Sequence, residues 1–262
     1  MTTNLRIFFF GGLTSYRALF NWLRPTIFVP LFLVVPLLQI ALFVYVGRAA
    51  HLASASFFVI GNSLQYAATP CLFAMSATIS NERGTRTLGL IIASPAARLP
   101  LFLGRSLPII ANGFMVSAFA LTASALIFGI SIPGAAVPSI ALTLLIISIS
   151  CTGLGLVNAS LGLRVRETAV LSNVILGILL LFCGVNIPLS RLPAWMAATA
   201  RYLPLTHGIA AARELAAGRS FGSVAGMLGL ELLVGGVYLI AGMGLLAIFE
   251  AESRRRSTLD RA

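Results

Sequence analysis

Six long apolar blocks constrain this chain more than any other feature of its sequence. A helix needs about 20 apolar residues to cross a hydrocarbon core of roughly 30 Å, and every backbone amide must bond within that helix because no water is present. The sequence therefore predicts an all-α membrane protein with six transmembrane helices, forming a single domain over residues 1–262. The predicted spans are 25–46, 52–80, 106–130, 137–163, 168–187 and 224–249, and only the last contains a charge, Glu231.

The composition leaves little room for anything but spans and short connections. Hydrophobic residues make up 58% of the chain and charged residues only 10%, against about a quarter in a soluble domain. All 18 basic residues are arginine. A P-loop needs a lysine to reach the phosphates, and Schiff-base chemistry needs a lysine amine. We therefore expect no cofactor in this chain, and ATP with its Mg²⁺ would have to be bound by a partner.

The arginines are distributed unequally between the two predicted sides of the membrane. The richer side carries Arg6, Arg17, Arg24, Arg83, Arg86, Arg98, Arg105, Arg164, Arg166, Arg254, Arg255, Arg256 and Arg261. The other side carries Arg48, Arg191, Arg201, Arg213 and Arg219. The positive-inside rule then places both termini in the cytoplasm, and we expect a multi-pass membrane protein. Since topology explains the basic charge, and no basic aromatic surface is available, nucleic-acid binding is not expected.

The cysteines and histidines indicate no metal site. Cys71, Cys151 and Cys183 all lie in predicted spans without metal-ligand spacing, and the histidines are only His51 and His207. Neither a disulfide framework nor a zinc site is predicted.

The segments outside the spans predict three features at the membrane surface. The N-terminal arm, 4–24, predicts an amphipathic interfacial helix, with Thr14, Arg17, Asn21 and Arg24 on its polar face. It is interpreted as a membrane anchor or as a contact for a cytoplasmic partner. Prolines at 25, 30 and 36 predict a kinked first span.

A short amphipathic helix is predicted in the cytoplasmic connection 82–98. Its apolar residues recur at i, i+3, i+4 and i+7, which favours either lying against lipid or docking in a partner's groove. The segment's candidate residues are Glu82, Arg83, Thr85, Leu88, Ile91, Ile92, Pro95 and Arg98.

Two short outer helices, interfacial or re-entrant, are predicted within 188–218. The prolines at 188, 193 and 204 and the capping candidates Ser190 and Thr206 favour two helices rather than a seventh span. The charges in this segment would make a full crossing costly. The candidate residues here are Trp195, Thr206, His207 and Arg213. For His207, a local hydrogen bond is the simplest interpretation.

Polar residues inside the spans are candidates for the transport pathway. Glu231 either serves the pathway or pairs structurally, with Arg213 or with a hydroxyl, because an isolated carboxylate is costly there. Each of the uncharged candidates either bonds a neighbouring helix or contacts cargo. They are Asn62, Gln65, Asn112, Asn158 and Asn173.

At the 82–98 and 188–218 segments the chain resembles the ABC-2 class of ABC transporter permeases. The first motif is Glu82-Arg83-Gly84-Thr85, shorter than the family's Glu-Arg-x-x-Gly-Thr element, followed by Ser94-Pro95 and Arg98. The second reads Pro-Leu-Ser-Arg-Leu-Pro-Ala-Trp over 188–195, then Pro-Leu-Thr-His over 204–207, Arg213 and Gly218. Leu203 departs from the family, in which many members have Asn.

The resemblance implies a non-catalytic permease subunit that works with two copies of a separate ATP-binding subunit and a second permease, identical or paralogous. Segment 82–98 would be the coupling helix. The nearest members export drugs, antibiotics or lipid-linked oligosaccharides, so an efflux role is implied. The sequence also leaves open an ATP-independent channel or ion-coupled carrier, which would need charged relays, and an intramembrane enzyme, for which no catalytic constellation is present.

Overall fold

The chain is described here from a computed structural model, which covers residues 25–84, 98–165 and 167–256. The predicted interfacial helix and most of the coupling segment, including Thr85, Leu88, Ile91, Ile92 and Pro95, lie outside these residues. The described residues form helices joined by turns and short irregular segments, and they contain no strand. The predicted all-α class is therefore confirmed.

The helices follow one another along the chain with short connections. They are α1 (Pro25–Phe28), a π-helical segment (Val29–Val34), α2 (Val35–Ala49), α3 (Ala55–Gln65), α4 (Ala68–Gly84), α5 (Arg98–Phe128), α6 (Val137–Leu161), α7 (Thr168–Phe182), α8 (Ala194–Ala200), α9 (Thr206–Ala216) and α10 (Phe221–Arg256). Short 3₁₀ turns cover Gly134–Ala136 and Leu189–Arg191. Among the described residues, four helical stretches are long and apolar enough to span a membrane: Val29–Ala49, Gly104–Phe128, Gly134–Leu161 and Phe221–Phe249.

The irregularity expected in the first span takes the form of a π-helical segment. The backbone N–H of Val35 donates to the carbonyl of Pro30, five residues earlier. Pro36 has no N–H to donate, so the α-helical ladder is interrupted there in any case. A single widened turn absorbs the interruption without ending the helix.

The apolar block 52–80 is not one continuous helix. It divides at Tyr66 and Ala67 into α3 and α4. Pro70 is the physical reason. It has no backbone N–H to donate to the Tyr66 carbonyl, and its ring would clash with that carbonyl in a continuous helix. Gly113 of α5 lies against the break, and a Cβ there would lie 3.0 Å from the Ala67 carbonyl oxygen. The glycine therefore allows α5 to pack closely on the exposed backbone.

The block 168–187 is helical only up to Phe182. At a rise of 1.5 Å per residue, its 15 residues extend about 22 Å, which is less than the hydrocarbon thickness. Gly184 follows with a φ of +73°, in the left-handed region that favours glycine. The last residues of this block are therefore non-helical backbone, whose polar groups need partners from elsewhere in the protein.

Helix α6 lies at the centre and packs on α10 through small residues. A Cβ on Gly153 of α6 would lie 2.5 Å from the carbonyl oxygen of Gly235 of α10. On the same interface, Ser150 donates to the Glu231 carbonyl at 3.2 Å, and Ser160 to the Gly242 carbonyl at 2.9 Å. Small side chains and interhelical hydrogen bonds are the usual basis of packing between membrane helices.

The two ends of the bundle are held by contacts of different arginine residues. At one end, Arg164 after α6 pairs with Glu252 of α10 and stands over the ring of Phe249, 4.5 Å from its centroid. At the other end, Arg213 of α9 donates to the carbonyl of Gly184 after α7.

The described part of the chain also places some of the residues outside the spans. Of the coupling-segment residues, Glu82 and Arg83 lie in the last turn of α4, and Arg98 begins α5. Helices α8 and α9 lie in the connection between α7 and α10, and Arg213 anchors α9.

Candidate functional site

Arg213 connects three separate parts of the bundle through its guanidinium group. It donates to the carbonyl of Gly184 at 2.8 Å, of Val185 at 3.0 Å and of Phe57 at 3.0 Å. Its Cζ also lies 3.5 Å from the centroid of the Phe57 ring. The planar guanidinium suits this role because its several N–H groups can reach acceptors in different directions while the ring covers its face. One side chain thus joins α9, the end of α7 and the start of α3.

These contacts explain how the backbone after α7 can leave the helix in an apolar environment. The carbonyls of Gly184 and Val185 have no place in a helical ladder, and each would be costly without a donor. Gly61 of α3 makes the arrangement possible. A Cβ there would lie 2.5 Å from the Val185 oxygen and 2.6 Å from Arg213 Nη2.

Asn62 bonds a neighbouring segment, which is one of its two predicted roles. Its Nδ2 donates to Oδ1 of Asn186 at 2.7 Å and to the Phe58 carbonyl at 2.9 Å. Asn186 therefore fixes the same non-helical segment that Arg213 holds. Sequence reasoning did not single out Asn186, although a side-chain amide at the end of an apolar block was an available signal.

Glu231 binds the beginning of α9. Its Oε1 accepts the backbone N–H of Leu205 at 2.7 Å, and its Oε2 accepts that of Gly208 at 3.1 Å. The side chain is 0% exposed. The first N–H groups of a helix have no partner within the helix and carry a partial positive charge, so they compensate a buried carboxylate. Glu231 thus caps α9 from another helix.

Two interpretations of this region are wrong. Glu231 does not pair with Arg213, because the Arg213 guanidinium bonds backbone carbonyls instead. Thr206 does not cap α9 either: the helix begins at Thr206, and Leu205 stands at the capping position without a side-chain bond. The cap comes from the carboxylate of α10. The hydroxyl partner predicted for Glu231 is present: Ser150 interacts with its carboxyl group and also donates to its backbone carbonyl at 3.2 Å.

Asn158 lies in a second polar cluster, at a different place in the bundle. Its Nδ2 donates to Ser76 Oγ at 2.6 Å and to Ser172 Oγ at 2.7 Å. All three side chains are buried, and they join α6 to α4 and α7. The two serines were not predicted, since serine is common in apolar spans and nothing in its spacing distinguishes these two.

The remaining candidates are dispersed. Gln65 lies at the end of α3 and Asn112 within α5, while Asn173 is exposed and donates to the Ala169 carbonyl of its own helix at 2.9 Å. Trp195 is 64% exposed, and its ring meets that of Phe182 edge-on with centroids 5.8 Å apart. His207 makes a local hydrogen bond of 3.0 Å between Nε2 and the Arg201 carbonyl.

The hydrogen bonds of these polar side chains join helices and helix ends to one another. Within the described ranges, no group of three or more His, Cys, Asp or Glu side chains could hold a metal ion. Cys71, Cys151 and Cys183 are buried free thiols. The non-helical end of α7 is fixed to α3 and α9 by Arg213, Asn62 and Asn186, while Glu231 separately fixes the beginning of α9 to α10.

Comparison with protein-family models gives a match over residues 17–216 to the family described as ABC-2 type transporter. Comparison with curated protein sequences gives no match. The matched range includes all the described helices up to α9, together with the segment 82–98. With an all-helical fold and helices long enough to cross a membrane, the chain belongs to the ABC-2 type transporter family and is a permease component of an ABC-type transporter.

Proposed function

We propose that this chain is the permease subunit of an ABC exporter. It would move a hydrophobic or amphipathic molecule, such as a drug, an antibiotic, a lipid or a lipid-linked glycan, out of the cytoplasm or inner leaflet. The family match over residues 17–216 carries the proposal. The chain has no lysine and hence no P-loop, so a separate subunit would hydrolyse the ATP and bind its Mg²⁺.

The proposed assembly contains two ATP-binding subunits and a second permease, either identical or a close paralogue. A two-fold pair of permeases creates a pathway at its interface, and membrane lipids surround it. The four long apolar helices are complemented by α3 with α4, and by α7 with its non-helical end, to make six crossings. The excess of arginine on one side supports cytoplasmic termini, and the proposed location of the assembly is a bacterial plasma membrane.

The contacts of Glu231 favour this proposal over an ion-coupled carrier. A carrier needs charged groups available to the coupling ion near the midplane. Glu231 is the one acidic residue in the six predicted spans. Both of its carboxylate oxygens already accept backbone N–H groups of α9.

Purification of the chain with its bound partners tests the proposal directly. We expect an ATP-binding subunit to co-purify, and the reconstituted complex to move substrate only when ATP is supplied. Transport at the full rate by the chain alone in liposomes would refute the proposal.

Replacing Ile91 with Glu should uncouple ATP hydrolysis from transport. A carboxylate placed on the apolar stripe of the predicted coupling helix would be desolvated in a partner's groove. We expect transport per ATP hydrolysed to fall about tenfold, the factor by which a loss of ~1.4 kcal/mol weakens binding of the segment in the partner's groove. ATP hydrolysis and substrate movement are measured on the same proteoliposomes.

The matched control for Ile91→Glu is Ala93→Glu. It adds the same charge to the opposite face of the predicted helix, about 200° away at 100° per residue. We expect near-normal coupling in this variant. Equal coupling in the two variants would remove the assignment of the stripe as the docking face.

A further inference from the structure

The contact between Glu231 and α9 depends on a backbone conformation that L-residues rarely adopt. Leu205 has a φ of +81°, and a non-glycine residue in this region persists only where its surroundings hold it. Its side chain is fully buried, and its N–H donates to Glu231 Oε1 at 2.7 Å. The Glu231 carboxylate therefore stabilises the strained backbone of Leu205 by accepting its N–H directly.

The turn that contains Leu205 also covers a thiol at the end of α7. Cys183 is 1% exposed, and its Sγ donates to the carbonyl of Pro204 at 3.3 Å. Pro204 immediately precedes the residue that Glu231 holds. If the turn moved away, Cys183 would lose this partner and become accessible to solvent.

Glu231 is itself positioned by the close packing of α10 on α6. Ser150 of α6 donates to its backbone carbonyl. Gly208, whose N–H binds Oε2, lies so close to the Ile147 side chain of α6 that an added Cβ would clash with it. A shift of α10 along α6 would therefore change the distance from the Glu231 carboxylate to the N–H groups of α9. Arg213, in the last turn of α9, would keep its own hydrogen bonds to the end of α7 and to α3.

We propose that Glu231 is a positioning residue whose carboxylate keeps the Pro204–Leu205 turn closed over Cys183, and that breaking this contact opens this end of the bundle during transport. The inference rests on the proposed exporter function, which requires that end to open outward. It assigns the opening to one contact, between the α10 carboxylate and the N–H groups of Leu205 and Gly208.

The test is labelling of Cys183 with a membrane-impermeant maleimide in the reconstituted complex, after Cys71 and Cys151 have been replaced with alanine. Without ATP we expect Cys183 to be protected in the parent protein. In Glu231→Gln we expect its labelling rate to rise about tenfold, the factor that corresponds to losing one hydrogen bond to a charged group. Glu214→Gln is the matched control, because Glu214 is half-exposed and forms a surface ion pair with Arg219, 3.2 Å away.

A second background separates local opening from general loosening of the bundle. It retains Cys71 and Cys151, which are buried within the spans, and replaces Cys183 with alanine. Labelling should stay low there in Glu231→Gln. A rise comparable to that of Cys183 would show a merely structural role and would overturn the proposal.

A shorter carboxylate gives an independent measurement if Glu231→Gln does not yield an intact complex. Glu231→Asp keeps the charge on a side chain that is shorter by one methylene. We expect Cys183 in this variant to be labelled at a rate between those of the parent protein and Glu231→Gln. Unchanged protection of Cys183 in every recovered Glu231 variant would overturn the proposal. In the parent complex, ATP should increase Cys183 labelling; hydrolysis and transport without that increase would refute the opening step and leave the exporter function intact.

Discussion

Replacing Arg213 with methionine is expected to lower the free energy of unfolding by about 3 kcal/mol, taking ~1 kcal/mol for each of its three carbonyl contacts. Methionine retains much of the apolar length of the side chain but has no N–H group. The carbonyls of Gly184, Val185 and Phe57 would then be left without these donors in apolar surroundings. Unfolding of the purified protein in mixed micelles, as a function of SDS mole fraction, measures the change.

Two further arginine variants distinguish this explanation from a loss of charge alone. Arg213→Lys keeps the charge, but its compact ammonium cannot reach three separated acceptors, so it should recover less than half of the lost stability. Arg219→Met removes an exposed arginine of the same region, whose ion pair with Glu214 should contribute less than about 1 kcal/mol. Equal stability of Arg213→Met and Arg219→Met would contradict the role assigned to Arg213.

Replacing Gly153 with alanine should destabilise the protein by about 3 kcal/mol, the upper part of the range for overpacked sites. The new methyl would lie 2.5 Å from the Gly235 oxygen and 3.1 Å from the Leu239 nitrogen. Both atoms belong to the backbone of α10, so no rotamer change can relieve the contact, and the two helices must separate. The midpoint of thermal unfolding in detergent should fall accordingly.

Gly177→Ala is the control for this substitution, because a Cβ at Gly177 of α7 meets no atom within 4 Å. There the alanine should be neutral or stabilising by up to about 1 kcal/mol through its higher helix propensity. If Gly153→Ala were as stable as Gly177→Ala, the close packing of α6 on α10 would not be a major source of stability.

Sequence periodicity and block length predicted the general architecture well but not the continuity of every helix. The all-α class and the two short helices before the last span agree with the structure. The division between α3 and α4 was missed, although Pro70 was a signal for it. Whether a proline bends, widens or breaks a span depends on which neighbour can approach the exposed backbone, as Gly113 does at Ala67.

The candidate site was predicted in part. Glu231 and Asn62 were selected because polar side chains in apolar blocks need partners, and Arg213 because it lies in the predicted outer segment. Each of the three makes hydrogen bonds that join helices or helix ends. Their partners were not predictable in the same way. Leu205 and Gly208 contribute backbone N–H groups, which every residue except proline possesses, so no residue type in the sequence marks them.

The sequence alone determined that this chain must be a helical membrane protein without its own P-loop, because hydrophobicity, block length and the absence of lysine are properties of the residues themselves. Tertiary structure alone decided that Arg213 donates hydrogen bonds to the end of α7 and that Glu231 accepts them from the beginning of α9. The physical reason is that backbone polar groups are chemically alike along the chain. Which of them lack a partner, and which side chain reaches them, is settled only when the helix ends meet in space.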